Sequence, residues 1–227
     1  MANHWIEKLN ADRLQGHKRF SVLLDPDKAP KDLTLAHWIK EINASECSDI
    51  LIGGSFLSRG NASQLITNVK NHTDLPVVIF PGSPDQISEE ADALLFLSLL
   101  SGRNPEFLIE QQVKSVEKLK NTSLEIIPTA YLLIDGGKET SVQRVSQTLP
   151  MAQENIQAIV NTALAGEYSG KQLIYLEAGS GASTKVSTAV ISAVKKEVSI
   201  PIIVGGGIRS EKEIKQAYQA GATMVVV

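Results

Sequence analysis

Ile200-Pro-Ile-Ile-Val-Gly-Gly-Gly-Ile-Arg-Ser210 is the stretch from which the rest of the chain can be read. A short apolar run rich in β-branched residues stops at three glycines, and a charged segment with helical spacing follows. The run has the length and composition of a buried strand. The glycines read as a turn whose bare backbone lets N–H groups approach a ligand. Ser210 is placed to cap the next helix, with Glu213 at its third position. A helix start beside bare glycine backbone suits a phosphate-sized anion. A triple glycine alone is also an ordinary tight turn. The anion reading gains weight from Tyr175-Leu-Glu-Ala-Gly-Ser-Gly181, one strand and helix earlier, which repeats the design.

Outward from these two stretches, apolar runs over residues 20–25, 49–55, 75–80, 92–100, 124–134, 173–178, 200–204 and 222–227 read as eight strands. Helical spacing fills most of the intervals. A lead-in helix is expected over residues 3–15, and a helix over 33–44 with Leu35, Trp38, Ile39 and Ile42 on one side. The next covers 61–71 with Leu65, Ile66 and Val69 inward. A long one runs over 104–120, capped by Asn104 with Pro105 at its first position. A helix over 150–165 turns Ile156, Ile159, Val160 and Leu164 inward, and two more span 187–198 and 211–220. Residues 83–90 are too few for a covering helix, so the third crossover is expected to be irregular. Pro128 inside the fifth run predicts a bulge or bend. A polar surface segment follows Asp135-Gly136-Gly137 as far as Leu149.

Continuous apolar strands alternating with amphipathic helices indicate an α/β protein whose parallel sheet is covered on both faces. Eight such units close most simply into a (β/α)8 TIM barrel occupying residues 1–227 as one domain, with an open doubly wound sheet as the alternative. The last run ends at Val227, so the helix that would close the barrel is expected beyond the residues given.

Composition narrows the function classes. A hydrophobic fraction of 43% supports a substantial core, and a net charge of −3 offers no basic surface for nucleic acid. The one cysteine, Cys47, excludes an internal disulfide and suits a buried thiol in a reducing cytoplasm. No apolar run is long enough to span a bilayer, so a lipid substrate would be met at the membrane surface. His4, His17, His37 and His72 share no spacing and read as surface or packing residues.

In a barrel of this kind the site lies at the C-terminal ends of the strands. Those ends carry Asp25 and Asp27, Gly53-Gly54-Ser55, Pro81-Gly82-Ser83, Ser98 and Ser101, Asp135-Gly136-Gly137, Glu177 to Gly181 and Gly205 to Gly207. Strand alternation puts Leu173, Tyr175 and Glu177 on one face and the wholly apolar Ile174, Leu176 and Ala178 on the other, under the helices. Tyr175 and Glu177 therefore point into the barrel, as do Ser21, Leu23 and Asp25. Asp25 and Asp27, with Ser55 near, offer hard oxygen ligands of the kind Mg²⁺ takes. Glu177 beside a phosphate cradle can hold or deprotonate a hydroxyl on a small phosphorylated substrate. This reading requires Asp25 and Glu177 on one rim and open space beside Gly179 and Gly206.

The chain resembles the geranylgeranylglyceryl phosphate synthase family, which includes the bacterial heptaprenylglyceryl phosphate synthases. The resemblance rests on Leu24-Asp-Pro-Asp-Lys28, Gly53-Gly-Ser55, Phe80-Pro-Gly-Ser83 and Phe96-Leu-Ser-Leu-Leu-Ser-Gly-Arg-Asn-Pro105. It extends to Ile126-Ile-Pro-Thr-Ala-Tyr-Leu132, Tyr175-Leu-Glu-Ala-Gly-Ser-Gly-Ala182 and Val204-Gly-Gly-Gly-Ile-Arg209. It implies a Mg²⁺-dependent prenyltransferase that joins the C3 hydroxyl of sn-glycerol 1-phosphate to an isoprenoid diphosphate, with geranylgeranyl diphosphate the expected donor. Asp25 and Ser55 would coordinate Mg²⁺. Tyr175, Leu176, Glu177, Ala178, Gly179, Ser180, Gly181, Gly205, Gly206 and Gly207 would hold glycerol phosphate, with Glu177 and Tyr175 at the attacking hydroxyl. Lys28 would meet the departing diphosphate. The apolar tail is expected between strands three and four, where a helix is missing. The family also implies homo-oligomers, and a further glycine turn after the eighth strand. Two other readings use the same cradle: a barrel isomerase or aldolase acting on a sugar phosphate, and a phospholigand-binding barrel without turnover.

Overall fold

In a computed structural model describing residues 4–55 and 57–227, eight parallel strands close in sequence order into a barrel. The strands are β1 (Arg19–Leu24), β2 (Cys47–Ile52), β3 (Val77–Ile79), β4 (Ala93–Leu99), β5 (Glu125–Leu133), β6 (Leu173–Glu177), β7 (Ile202–Gly205) and β8 (Met224–Val226). The helices are α1 (Trp5–Gln15), α2 (Asp32–Ala44), α3 (Ala62–Lys70), α4 (Gln111–Leu119), α5 (Ser141–Ser146), α6 (Ile156–Tyr168), α7 (Thr188–Glu197) and α8 (Glu211–Ala220). The closed barrel is the arrangement expected from the apolar runs. Residue 3, where the lead-in helix was expected to begin, lies outside the described residues.

The alternation expected for β6 governs the packing. Leu173 and Tyr175 join Leu51, Leu95, Ile203 and Met224 inside the barrel, while Ile174, Leu176 and Ala178 pack among residues of α6 and α7. The bottom of the barrel is plugged by α1. Glu125, at the start of β5, accepts hydrogen bonds from the backbone N–H groups of Trp5 and Ile6, capping that helix from across the fold. The Trp5 indole N–H reaches Asp49 in the lumen at 2.6 Å.

The third crossover is irregular, as expected: a single 3₁₀ turn, Pro84–Gln86, stands where a helix would lie. Gln86 is fully buried and grips Gly54 from both sides, donating to its carbonyl at 2.7 Å and accepting from its N–H at 3.1 Å. The short turn is thereby tied to the loop after β2.

Several local expectations change. Trp38 is 46% exposed, so the inward face of α2 is Leu35 and Ile39, with Ile42 partly buried beside them, and not Trp38. Pro128 makes no bulge: β5 pairs with β4 in unbroken register through Phe96↔Pro128 and Leu97↔Thr129. On the other side the ladder with β6 begins at Thr129↔Leu173, so the N–H that proline lacks falls outside the pairing. The helix expected from residue 150 starts at Ile156, because Met151 extends to bridge Ile134 and Asn155 supplies the cap. The segment before it is not wholly irregular, since Thr140 caps the short α5. The helix expected from residue 104 opens as a π-helical turn over Glu106–Glu110, with Asn104 Oδ1 accepting from the Glu106 N–H at 3.1 Å. Cys47 is buried and unpaired, and all four histidines are exposed.

Candidate active site

The three lumen aromatics near the top of the barrel are in mutual contact. Phe80 stacks on Tyr175 at 5.0 Å between ring centroids, and Tyr131 meets both edge-on at 5.7 and 5.6 Å. Above them, at the end of β6, stands Glu177, only 6% exposed. Its Oε1 accepts the Gly179 N–H at 2.6 Å. Burial pushes its pKa up to about 7, against the downward pull of that N–H and of the Tyr175 hydroxyl. No cation pairs with Glu177 among the described residues. The Tyr175 hydroxyl is buried beside Glu177, close enough to lower the carboxyl's pKa but short of the geometry of a full hydrogen bond. A Cβ built on Gly205 would lie 2.7 Å from both this hydroxyl and Glu177 Oε2, so only a bare backbone fits against the pair.

The two glycine turns lock together around this carboxylate. Gly206, with φ +80°, passes so close that a Cβ there would collide with Glu177 Oε1 and lie 2.5 Å from the Gly179 nitrogen. Gly179, with φ +96°, is pressed against the Thr140 side chain. The open space expected beside these two glycines is therefore absent on the side where a Cβ would project. Their bareness serves the contact between the turns. The backbone N–H groups of Ser180, Gly181, Gly206 and Gly207 make no hydrogen bond among the described residues, which leaves two turns of free donors.

The start of α8 is partly closed to an anion. Ser210 accepts from the Glu213 N–H, and Glu213 accepts from the Arg209 N–H at 2.8 Å, a variant of the capping box shifted back by one residue. With Glu211 and Glu213 both in the first turn, that helix end is already paired with negative charge. The free amides of the glycine turns therefore face less competing negative charge than the helix end does.

Asp25 follows β1 at the same C-terminal rim as Glu177, as the reading required. Its Oδ2 accepts the Lys28 ammonium at 2.7 Å, and its Oδ1 lies 3.3 Å from a Cβ built on Gly54, next to Ser55. Asp27 is not available as a ligand. Its carboxylate accepts the N–H groups of Ser58, Arg59 and Gly60 and the Ser58 hydroxyl, and these bonds hold its pKa well below the usual range. It pins a surface loop. Among the described residues no group of three or more His, Cys, Asp or Glu side chains gathers as a metal cluster.

Beside Ser55 an apolar groove opens between the 3₁₀ turn and α4. Leu94, Phe96, Phe107, Ser115 and Ile87 line it, and it reaches inward to Phe80 and Tyr131. The missing third helix leaves it uncovered. Because Phe80 and Tyr131 also touch Tyr175, the groove's inner end is separated from the Glu177 neighbourhood by one layer of rings. The sequence reading missed Gln86 and Lys138. The Lys138 ammonium stands 3.3 Å from a Cβ built on Gly181, and its place just after Asp135-Gly136-Gly137 was the only signal for it.

A (β/α)8 barrel with free amide turns, a buried carboxylate and an apolar groove on one rim belongs to the class of phosphate-binding barrel enzymes. Within that class the match is specific: residues 13–227 fit the model of the PcrB family, and the chain belongs to it. A geranylgeranylglyceryl phosphate synthase of Flavobacterium johnsoniae is 52% identical over 93% of this chain and 87% of its own. One from Thermococcus kodakarensis is 38% identical over 97% of this chain and 87% of its own. Among solved structures, the Thermoplasma acidophilum (S)-3-O-geranylgeranylglyceryl phosphate synthase in complex with its substrate sn-glycerol-1-phosphate superposes with a TM-score of 0.90. It is 36% identical and covers 98% of this chain and 89% of its own. The YdjI aldolase of Escherichia coli K12 shares the fold alone, at 13% identity and a TM-score of 0.60.

Proposed function

We propose that the chain is a prenyltransferase that joins sn-glycerol 1-phosphate to an isoprenoid diphosphate through an ether bond and releases diphosphate. One observation carries the reading: the apolar groove ends on the same aromatic cluster that supports Glu177. An isoprenoid tail lying in the groove brings its allylic carbon to the rings, and the free amides of Ser180, Gly181, Gly206 and Gly207 hold the phosphate of glycerol phosphate on the other side. A sugar-phosphate isomerase or aldolase has no use for such a groove.

The step balances with the residues at hand. The C3 oxygen forms a bond to the allylic carbon as the bond from that carbon to the diphosphate oxygen breaks, and the electron pair leaves with diphosphate. The hydroxyl proton passes to Glu177, whose pKa near 7 suits a base at neutral pH. The faces of Phe80 and Tyr131 are placed to stabilise positive character on the allylic carbon. Lys28 stands by the departing diphosphate.

Asp25 and Ser55 would hold Mg²⁺. Asp25 Oδ2 accepts the Lys28 ammonium, which would yield its place to the metal and turn to the diphosphate, and Ser55 would add a neutral oxygen. With so few protein ligands the rest would be phosphate oxygens and water, as is usual for this ion. Bound there, the metal would supply charge neutralisation for the leaving group. A membrane-surface encounter with the lipid donor, a cytoplasmic location and homo-oligomeric assembly belong to the same proposal and rest on the family. No helix among the described residues is long and apolar enough to cross a membrane.

The test is incubation with radiolabelled glycerol 1-phosphate and a ladder of C15, C20 and C35 diphosphates, with and without Mg²⁺, followed by extraction into organic solvent. Label should move to the organic phase only with metal and a sufficiently long donor. Transfer that persists after chelation would remove Mg²⁺ from the scheme, and no transfer with any donor would remove the prenyl reading.

A further inference from the structure

We infer that Lys138 is a phosphate-positioning residue, whose ammonium closes the outer side of the amide cradle around the phosphate of the small substrate. This rests on the prenyltransferase reading for the substrate's identity, but not for its charge.

The loop after β5 is fastened to the loop after β6. The Gly136 carbonyl accepts the N–H groups of Ser183 and Thr184 at 2.9 and 3.0 Å. A Cβ at Gly136 would meet the Ala178 carbonyl and lie 2.6 Å from Ala182. The Gly137 N–H donates to Asp135 Oδ1 at 2.8 Å, which folds the turn and sets the direction of the next residue. That residue is Lys138. Its Nζ and Cε lie 3.3 and 3.8 Å from where a Cβ on Gly181 would be, so the absence of a side chain at 181 leaves room for the lysine.

The neighbouring cations are committed elsewhere. Lys185 pairs with Glu213 at 3.1 Å, and Arg209 donates to the Ala182 carbonyl at 2.7 Å. Lys138 forms no ion pair among the described residues, and its neighbour Glu139 is taken by Arg144. The two fastened loops therefore present free N–H groups at Ser180 and Gly181 from one side and an unengaged ammonium beside Gly181 from the other. A phosphate dianion bound by neutral amides alone would face the Glu177 carboxylate with no compensating charge. Lys138 supplies that charge without entering the lumen, so it acts on binding and leaves the chemical step alone.

Steady-state kinetics with glycerol 1-phosphate varied against saturating isoprenoid diphosphate test this. Lys138→Met should raise KM for glycerol phosphate about tenfold with kcat changed less than about twofold, and Lys138→Arg should restore most of the loss. Inhibition by inorganic phosphate should weaken by a similar factor, and the salt dependence of KM should become shallower. Lys185→Met, which removes a nearby charge already paired, should shift KM by less than about twofold. Unchanged KM and phosphate inhibition in Lys138→Met, or an equal effect from Lys185→Met, would overturn the assignment. The two readings separate in calorimetry. Wild-type protein that transfers no prenyl group, yet binds inorganic phosphate more tightly than Lys138→Met, would sink the prenyl reading and leave the Lys138 assignment standing.

Discussion

Two carboxylates are buried in the lumen of this barrel, one at each end, and they are treated in opposite ways. Asp49 at the bottom is fully buried and surrounded: the Trp5 indole donates at 2.6 Å, Arg19 Nη1 at 3.1 Å and the Ser21 hydroxyl at 3.5 Å. Glu177 at the top receives one backbone N–H and faces a tyrosine hydroxyl that completes no bond. Burial raises the pKa of both, but only at Asp49 does a cation pull it back. A finished set of partners marks a group that holds the fold together. An unfinished set marks one with bonding capacity left over for chemistry, and its cost is carried by the rest of the barrel.

The largest expected effect comes from removing the ionisable group at the top. Glu177→Gln should lower kcat by roughly 10²- to 10⁴-fold, the usual worth of a positioned base. The wild-type kcat/KM should rise with pH through about 7, and the variant's profile should lose that rise. Stability should move the other way. The folded pKa lies above the unfolded one, so the group's stabilising contribution is complete at low pH and lost as pH rises through about 7. Glutamine keeps the neutral form throughout. The variant should therefore melt higher near pH 8, by up to about 3 kcal/mol, and the difference should vanish near pH 4. Thermal melts at the two pH values check this, and a variant less stable near pH 8 would contradict the unfinished-site account.

Asp49→Ala is the mirror experiment. It strands the Trp5 N–H and removes the Arg19 partner inside the lumen, which costs about 3–5 kcal/mol. For a chain of this size that is a fall in melting temperature on the order of 10 °C. Turnover per folded molecule should stay within about threefold of wild type, since the change lies at the far rim. Loss of turnover without loss of stability would show that the two ends are not separate in function.

The strands and the inward set on β6 were legible because a two-residue period leaves no ambiguity once one face is wholly apolar. Tyr175 and Glu177 followed directly. The turn residues were harder, because their partners come from elsewhere in the chain. Asp27 has the composition of a metal ligand, but the N–H groups that consume it belong to Ser58, Arg59 and Gly60. Pro150 looked like a helix start until Met151 paired with Ile134, a contact no local pattern announces. The free amides were read in the glycine turns, where they lie, but the help expected from the start of α8 is reduced because Glu213 accepts the Arg209 N–H there. Gln86 and Lys138 were invisible for the same reason: each is defined by what it touches across the rim.

The smallest effect is the most discriminating for the contrast between the two ends. Trp5 and Tyr175 are both aromatic rings with a polar tip in the lumen, and only the Trp5 tip is satisfied. Tyr175→Phe deletes a buried hydroxyl whose approach to Glu177 falls short of a full hydrogen bond, while the stacking on Phe80 and the contact with Tyr131 keep their shape. Removing an unsatisfied buried polar group should leave stability unchanged or raise it by about 1 kcal/mol. Activity should nevertheless fall about tenfold, chiefly through KM for glycerol phosphate, because the hydroxyl finds its partner only when that substrate is bound. A clear loss of melting temperature in Tyr175→Phe would mean that the hydroxyl is already paired in the resting protein. The top of the barrel would then be as complete as the bottom, and the argument from unfinished partners would lose its second leg.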